Sequence, residues 1–242
     1  MNVPRGSRRE DGEPQRPRRG RGVRVKVCGV MTPRDAAVVE EAGPDFMGVI
    51  LSPGYSRSVS GKRAGAVYEA ATARRVGVFV DAPAEAVVRV ARELDLDVIQ
   101  LGGSETIEAV TRIGGEGGWG VWKTVHARPG LSMADAAGRY AAVVDGVLVD
   151  SWDPGRPGGT GRTFSWAGVG REVRGAIGSA TFIAAGGMNP ENAGAAVEAL
   201  RPDVLDVSSG VESVPGTKDP GRTRAFVQAA RLAGNLSGGG QP

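Results

Sequence analysis

The sequence predicts an α/β chain folded as a single-domain (β/α)8 (TIM) barrel, and three observations carry that prediction. Eight short β-rich runs recur about every 25 to 30 residues, at 23–28, 45–51, 74–80, 97–101, 119–125, 144–150, 180–185 and 203–208. Several are nearly continuous apolar runs, such as Val76-Gly77-Val78-Phe79-Val80 and Val147-Leu148-Val149, the mark of parallel strands buried on both faces. Between them lie Ala-rich amphipathic segments, so that eight β-then-α units fit in about 215 residues. An open doubly wound sheet is the alternative. It usually has fewer strands and a glycine-rich nucleotide motif after the first, and Cys28-Gly29-Val30-Met31-Thr32 is not that motif.

The elements follow in order. Val23-Arg24-Val25-Lys26-Val27 alternates into Cys28-Gly29, a strand running into a tight turn. Thr32-Pro33, a cap followed by proline at the first helical position, opens a helix through Ala42. The second strand runs into the turn-rich Ser52-Pro53-Gly54-Tyr55-Ser56-Arg57-Ser58. Asp81-Ala82-Pro83 opens a helix over 83–94, and Asn189-Pro190-Glu191-Asn192 opens one over 190–200. His126, the only histidine, follows the fifth strand and reads as a surface or loop residue.

Composition sets bounds on the chemistry. Residues 1–22 hold seven Arg against two Glu and one Asp, a net +4; the whole chain is +3, so the remainder is −1. The basic character therefore belongs to the N-terminal extension, whose only apolar side chains are Met1 and Val3, too few to fold alone. The expected organisation is a disordered basic extension over 1–22, a barrel over 23–234 and a flexible tail over 235–242. No aromatic residue interleaves the arginines, so no stacking platform for nucleic acid accompanies the charge. One cysteine excludes an internal disulfide and suits a reducing cytoplasm. No apolar stretch approaches the roughly 18 residues of a membrane span. A cytoplasmic enzyme with neither membrane nor nucleic-acid partner is expected, as a monomer or homodimer.

In a barrel, functional groups belong at the carboxyl ends of the strands and in the loops beyond them. Cys28 occupies the first such position, although a free cysteine also serves as small buried filler. Asp150 ends the sixth run, with a helix cap or loop solubiliser as its plain alternative. Arg57 could clamp a carboxylate or be an exposed loop cation. Asp206, in the eighth run, could hold a ligand group or orient a neighbour. Gly158-Gly159-Thr160-Gly161, Gly186-Gly187 and Ser208-Ser209-Gly210 fall in the last three loops, where glycine lets backbone N–H groups approach a phosphate. A lone histidine with one cysteine gives no metal-ligand spacing, and no Ser-His-Asp arrangement supports acyl transfer.

These residues fall within longer matching segments. They are Val25-Lys26-Val27-Cys28-Gly29; Gly48-Val49-Ile50-Leu51 with Ser56-Arg57-Ser58-Val59; Val76 to Val80; and Val98-Ile99-Gln100-Leu101-Gly102-Gly103. They continue through Val149-Asp150-Ser151, Gly158 to Trp166 and Ala184 to Asn192, and end with Asp206-Val207-Ser208-Ser209-Gly210-Val211-Glu212 through Asp219. In these segments the chain resembles the phosphoribosylanthranilate isomerase family of tryptophan biosynthesis. Two departures stand out: Gly102 sits where the family commonly has histidine, and a second aspartate, Asp153, lies close to Asp150.

The resemblance implies an Amadori rearrangement of N-(5-phosphoribosyl)anthranilate to 1-(2-carboxyphenylamino)-1-deoxyribulose 5-phosphate. It implies Asp150 as the acid that opens the sugar ring and Cys28 as the base at C2′. Arg57 and Asp206 would bind substrate. Gly158, Gly159, Gly161, Gly186, Gly187, Ser208, Ser209 and Gly210 would hold its phosphate. No metal or organic cofactor is required. A thiolate base needs nearby positive potential, which Arg57 and helix N-termini could supply, and the carboxylic acid needs desolvation. Two other readings compete: a histidine-pathway aminoaldose isomerase, which typically has two aspartates at the strand ends, and a non-catalytic barrel that binds a phosphorylated ligand or an acidic partner.

Overall fold

In the computed structural model, eight parallel strands close into a ring in sequence order. The structure describes residues 22–128, 130–151, 166 and 168–238. The strands are β1 (Arg24–Val27), β2 (Phe46–Ile50), β3 (Arg74–Phe79), β4 (Val98–Leu101), β5 (Gly120–Ala127), β6 (Gly146–Ser151), β7 (Thr181–Ala184) and β8 (Val204–Val207). β1 pairs with both β2 and β8, which closes the sheet and leaves none of the eight as an edge. The expected (β/α)8 barrel is therefore the observed one, and the doubly wound alternative falls away.

The helices are α1 (Pro33–Ala42), α2 (Gly61–Glu69), α3 (Ala84–Glu93), α4 (Ile107–Gly115), α5 (Met133–Gly138), α6 (Val169–Ile177), α7 (Ala193–Leu200) and α8 (Pro220–Gly238). Thr32 caps α1 by accepting from the Asp35 N–H at 3.1 Å, and Pro33 stands at its start, as the sequence predicts. α7 begins at Ala193 and not at Pro190. The side-chain oxygens of Asn189 and Asn192 accept from each other's backbone N–H at 2.9 Å, which holds 189–192 as a closed turn before the helix. α8 runs on to Gly238, so residues 235–238, expected in the tail, are helical. After β8 come a short 3-10 turn and a small antiparallel hairpin, β9 (Glu212–Val214) with β10 (Thr217–Lys218).

Two apolar clusters divide the interior. The larger fills the space between strands and helices. The smaller comprises Phe46, Val76, Val98, Trp122, Leu148, Ile183, Ala185 and Val204. These are alternate residues along the strands, Ala185 lying just past the end of β7, and the period of two turns them toward the lumen. Phe46 and Trp122 meet edge-to-face there, their ring centres 5.0 Å apart. The same alternation places Lys26, Cys28, Gly48, Gly102, His126, Asp150, Asp206 and Ser208 on the lumen side above this layer. Among the described residues, no helix is long and apolar enough to cross a membrane.

Candidate active site

Cys28 leaves β1 with its backbone N–H donating to the Val207 carbonyl at 2.7 Å, so the thiol is anchored to the end of β8. Gly29 follows at φ +70, a left-handed conformation natural to glycine. A Cβ there would lie 2.7 Å from Arg57 Cδ and 2.9 Å from Ser208 Oγ, so the missing side chain lets both residues pack against the turn. The structure thus brings Cys28, Arg57 and Ser208 together.

Arg57 is engaged within the protein. Its Nε and Nη2 donate to the two Glu212 oxygens at 2.7 and 2.8 Å, a bidentate pair. Glu212 also accepts from Lys218 Nζ at 3.0 Å and from the Gly216 N–H at 3.0 Å. Burial opposes the Glu212 charge, but Arg57 and Lys218 outweigh it and hold its pKa down at about 2. Lys218 in turn donates to the Ser208 carbonyl at 3.0 Å. This network fastens the β2–α2 loop to the hairpin after β8. Glu212 and Lys218 carried no role in the sequence reading.

Below the thiol lies a buried ion pair. Lys26 Nζ sits 3.0 Å from both Asp206 oxygens. Lys26 is fully buried and Asp206 is 7% exposed. Asp206, expected to hold substrate, has both carboxylate oxygens engaged by Lys26. Burial pushes the Cys28 thiol up, and the adjacent Lys26 ammonium opposes that shift. The cation acting on the sulfur is therefore Lys26 first, with a smaller part from Lys218. The sequence reading looked instead to Arg57 and helix ends. The signal for Lys26 was present: it stands two residues before Cys28 on an alternating strand, hence on the same side.

Asp150 lies at the end of β6, half-buried, three strands from β1 around the ring. His126 corrects the sequence reading. β5 extends to Ala127, so His126 is a strand residue in register with Asp150. Burial lowers its pKa, and a hydrogen bond to the Gly102 carbonyl opposes the shift. A half-buried imidazole thus occupies the lumen side next to the residue expected to be the acid.

The β7 and β8 loops meet. Gly186 and Gly187, one residue beyond the end of β7, adopt φ +91 and +64. A Cβ on Gly210 would overlap the Met188 carbonyl oxygen, so glycine is what permits this approach. Ser208, Ser209, Gly210, Gly186 and Gly187 are therefore neighbours at one side of the mouth. Gly158, Gly159, Gly161 and Asp153 lie outside the described residues. Among the described residues, no cluster of three or more His, Cys, Asp or Glu side chains is arranged to hold a metal ion.

This geometry has close relatives. The family model for N-(5'phosphoribosyl)anthranilate (PRA) isomerase matches residues 25–229. The isomerase of that name from Rubrobacter xylanophilus is 40% identical over 210 residues, covering 86% of this chain and 98% of that protein. The one from Chromohalobacter salexigens is 37% identical, covering 84% and 92%. Among solved structures, the phosphoribosyl anthranilate isomerase of Thermotoga maritima superposes with a TM-score of 0.77 at 32% identity, covering 87% of this chain and 99% of its own. A phosphoribosyl anthranilate isomerase in complex with reduced 1-(o-carboxyphenylamino)-1-deoxyribulose 5-phosphate gives 0.75 at 31%, with the same coverage. The barrel and the match along nearly its whole length agree: the chain belongs to the N-(5'-phosphoribosyl)anthranilate isomerase family.

Proposed function

We propose that this protein converts N-(5'-phosphoribosyl)anthranilate to 1-(2-carboxyphenylamino)-1-deoxyribulose 5-phosphate in tryptophan biosynthesis, with Asp150 as acid and Cys28 as base. The observation that carries the residue assignment is their placement: both are lumen-side groups at strand ends, on β1 and β6, with three strand-to-strand steps between them. Groups so placed can address a sugar from two sides. Asp150 delivers a proton to the furanose ring oxygen as the C1′–O bond breaks, and the anilino nitrogen lone pair forms C1′=N. The Cys28 thiolate then removes the C2′ proton, and the C–H electrons form C1′=C2′ while the nitrogen regains its lone pair. The resulting enol tautomerises to the aminoketone.

The phosphate is assigned to the meeting β7 and β8 loops, with Gly186, Gly187, Ser208, Ser209 and Gly210 offering close backbone approach. The glycines of 158–161 are proposed to complete that site. Binding energy from the phosphate can then position the reacting carbon. Arg57, fixed by Glu212 beside Cys28, is proposed to meet the anthranilate carboxylate with the edge of its guanidinium not used by Glu212. A cytoplasmic enzyme acting as a monomer or homodimer, with the barrel over 23–234 as its working unit, completes the proposal.

The test is steady-state turnover of freshly generated substrate, followed by loss of anthranilate fluorescence. Wild type should turn over, and Asp150→Asn and Cys28→Ser should each lose roughly 10²- to 10⁴-fold in kcat, the usual worth of a positioned acid or base. Folded wild type without turnover would overturn the function. Turnover surviving in Asp150→Asn would move the acid elsewhere, with Asp153 next to be tested.

A further inference from the structure

We propose that Lys26 is a positioning residue for the base: held from the side by Asp206, its ammonium faces the Cys28 sulfur and takes up the thiolate's charge. This rests on the assignment of Cys28 as the base.

The geometry has three parts. Lys26 and Cys28 share the lumen side of β1, two residues apart, and Lys26 is the direct register partner of Asp206 on β8. Asp206 grips Nζ with both oxygens at 3.0 Å, which fixes the end of an otherwise flexible side chain. On the other flank, β2 contributes Gly48. A Cβ there would lie 2.9 Å from Cys28 Sγ, 3.1 Å from Lys26 Cε and 3.2 Å from Lys26 Nζ. Ammonium and sulfur therefore converge on the space that the glycine leaves open. Burial opposes the thiolate, and the Lys26 ammonium across that space counters it.

Stability is a poor account of this arrangement. Directly below lies the apolar lumen layer of Phe46, Trp122, Leu148 and Val204. Replacing a buried ion pair by well-packed apolar residues is often neutral or stabilising. Among the described residues, the other charged or titratable groups around the sulfur are already committed. Lys218 of β10 and Arg57 of the β2–α2 loop are both bound to Glu212. Tyr68 of α2 donates its hydroxyl to the Val76 carbonyl at 2.7 Å. Among the described residues, Lys26 is left as the cation that shares the Gly48 space with the sulfur, and Asp206 as the anion that opposes thiolate formation by sharing that cation.

The two partners should then act on the thiol with opposite signs. Cys28 is the only cysteine in the chain, so alkylation reports on it alone. The rate of iodoacetamide modification of the full chain is measured from pH 6.5 to 10 for wild type, Asp206→Asn and Lys26→Met/Asp206→Leu. Fold is checked by circular dichroism. Asp206→Asn leaves the ammonium to the sulfur and should alkylate at least tenfold faster at pH 8, its midpoint moved down. The double variant removes both charges without stranding either, and should alkylate at least tenfold slower, its midpoint moved up. A purely structural role would change accessibility at all pH values alike and leave the midpoint in place. Midpoints unchanged in both variants, or moved in the same direction, would overturn the proposal. Should the double variant not fold, Asp206→Asn alone decides: a lowered midpoint supports the proposal and an unchanged or raised one refutes it. These midpoints are independent of turnover, so an inactive wild type would refute the proposed reaction without touching this result.

Discussion

Gly48→Ala is the smallest change that tests whether the position of the thiol limits the reaction. Gly48 lies within β2, and its φ is outside the positive range, so alanine meets no backbone obstacle. Only side chains stand in the way. The new Cβ would sit 2.9 Å from Cys28 Sγ and 3.1 Å from Lys26 Cε. Ordinary contact between heavy atoms is about 3.5–4.0 Å, so the sulfur must retreat by roughly 0.6–1 Å or the strand must shift. Overpacking of this kind costs about 1–3 kcal/mol. At about 2–4 °C per kcal/mol for a domain of this size, Tm should fall by roughly 2–12 °C. A misplacement of about 1 Å can cost on the order of 100-fold in rate. Because the loops proposed to hold the phosphate follow β7 and β8, KM should change by only a few fold while kcat falls. Turnover by anthranilate fluorescence and melting by circular dichroism read both effects. A variant with kcat within about threefold of wild type and an unchanged Tm would refute the argument that Cys28 and Lys26 are packed to a fixed geometry.

Three further outcomes are expected. Gly210→Ala drives a Cβ into the Met188 carbonyl and should separate the β7 and β8 loops, raising KM for the phosphorylated substrate at least tenfold in the same turnover assay. Glu212 has its pKa held down from 4.5 to about 2, so it contributes stability that is fully present above about 4.5. That contribution is lost as the pH falls from there toward 2, and acid melts of Glu212→Gln should show a shallower loss over that window than wild type. Tyr68→Phe removes a buried hydrogen bond to the Val76 carbonyl and should cost about 1 kcal/mol, read as a small fall in Tm, while kcat stays at the wild-type value.

Much of this architecture is written locally, and the parts that are not share a cause. Strand positions follow from apolar runs that both faces of a parallel sheet demand, and Cys28 and Asp150 follow from them as strand-end residues. Lys26 was equally legible by the period of two, since a residue two before Cys28 must share its side of the sheet. His126 was misread because the apolar signal stops at Val125, whereas β5 continues through His126 to Ala127, both paired with the end of β6. Hydrogen bonding to a neighbouring strand extended that element where side-chain pattern did not. Asp206 illustrates a second limit. Its position at the mouth end of β8 is readable, but its partner is 180 residues earlier and becomes adjacent only when the ring closes. Glu212 and Lys218 are likewise joined to Arg57 by a hairpin excursion whose pairing no periodicity announces. The start of α7 shows propensity overridden locally, by two asparagines that satisfy each other's backbone before the helix begins.

The pairing of β1 with β8 has a consequence for how the chain could be rearranged. Gly234 in α8 packs so closely on the start of β1 that a Cβ on it would lie 2.6 Å from the Val23 nitrogen, and Asn235 Oδ1 stands equally near the site of a Cβ on Gly22. The first strand and the last helix thus begin and finish side by side, on the rim opposite the one that carries Cys28 and Asp150. A short linker from 238 to 22 would make the polypeptide a continuous loop, which could then be opened in the exposed Gly117-Gly118 turn before β5. Such a permuted chain would begin with the strand carrying His126 and meet Cys28 near its middle, yet present the same ring of side chains to the substrate. The order in which the strands are strung is separable from the circle in which they stand, and it is the circle that brings Lys26 to Asp206.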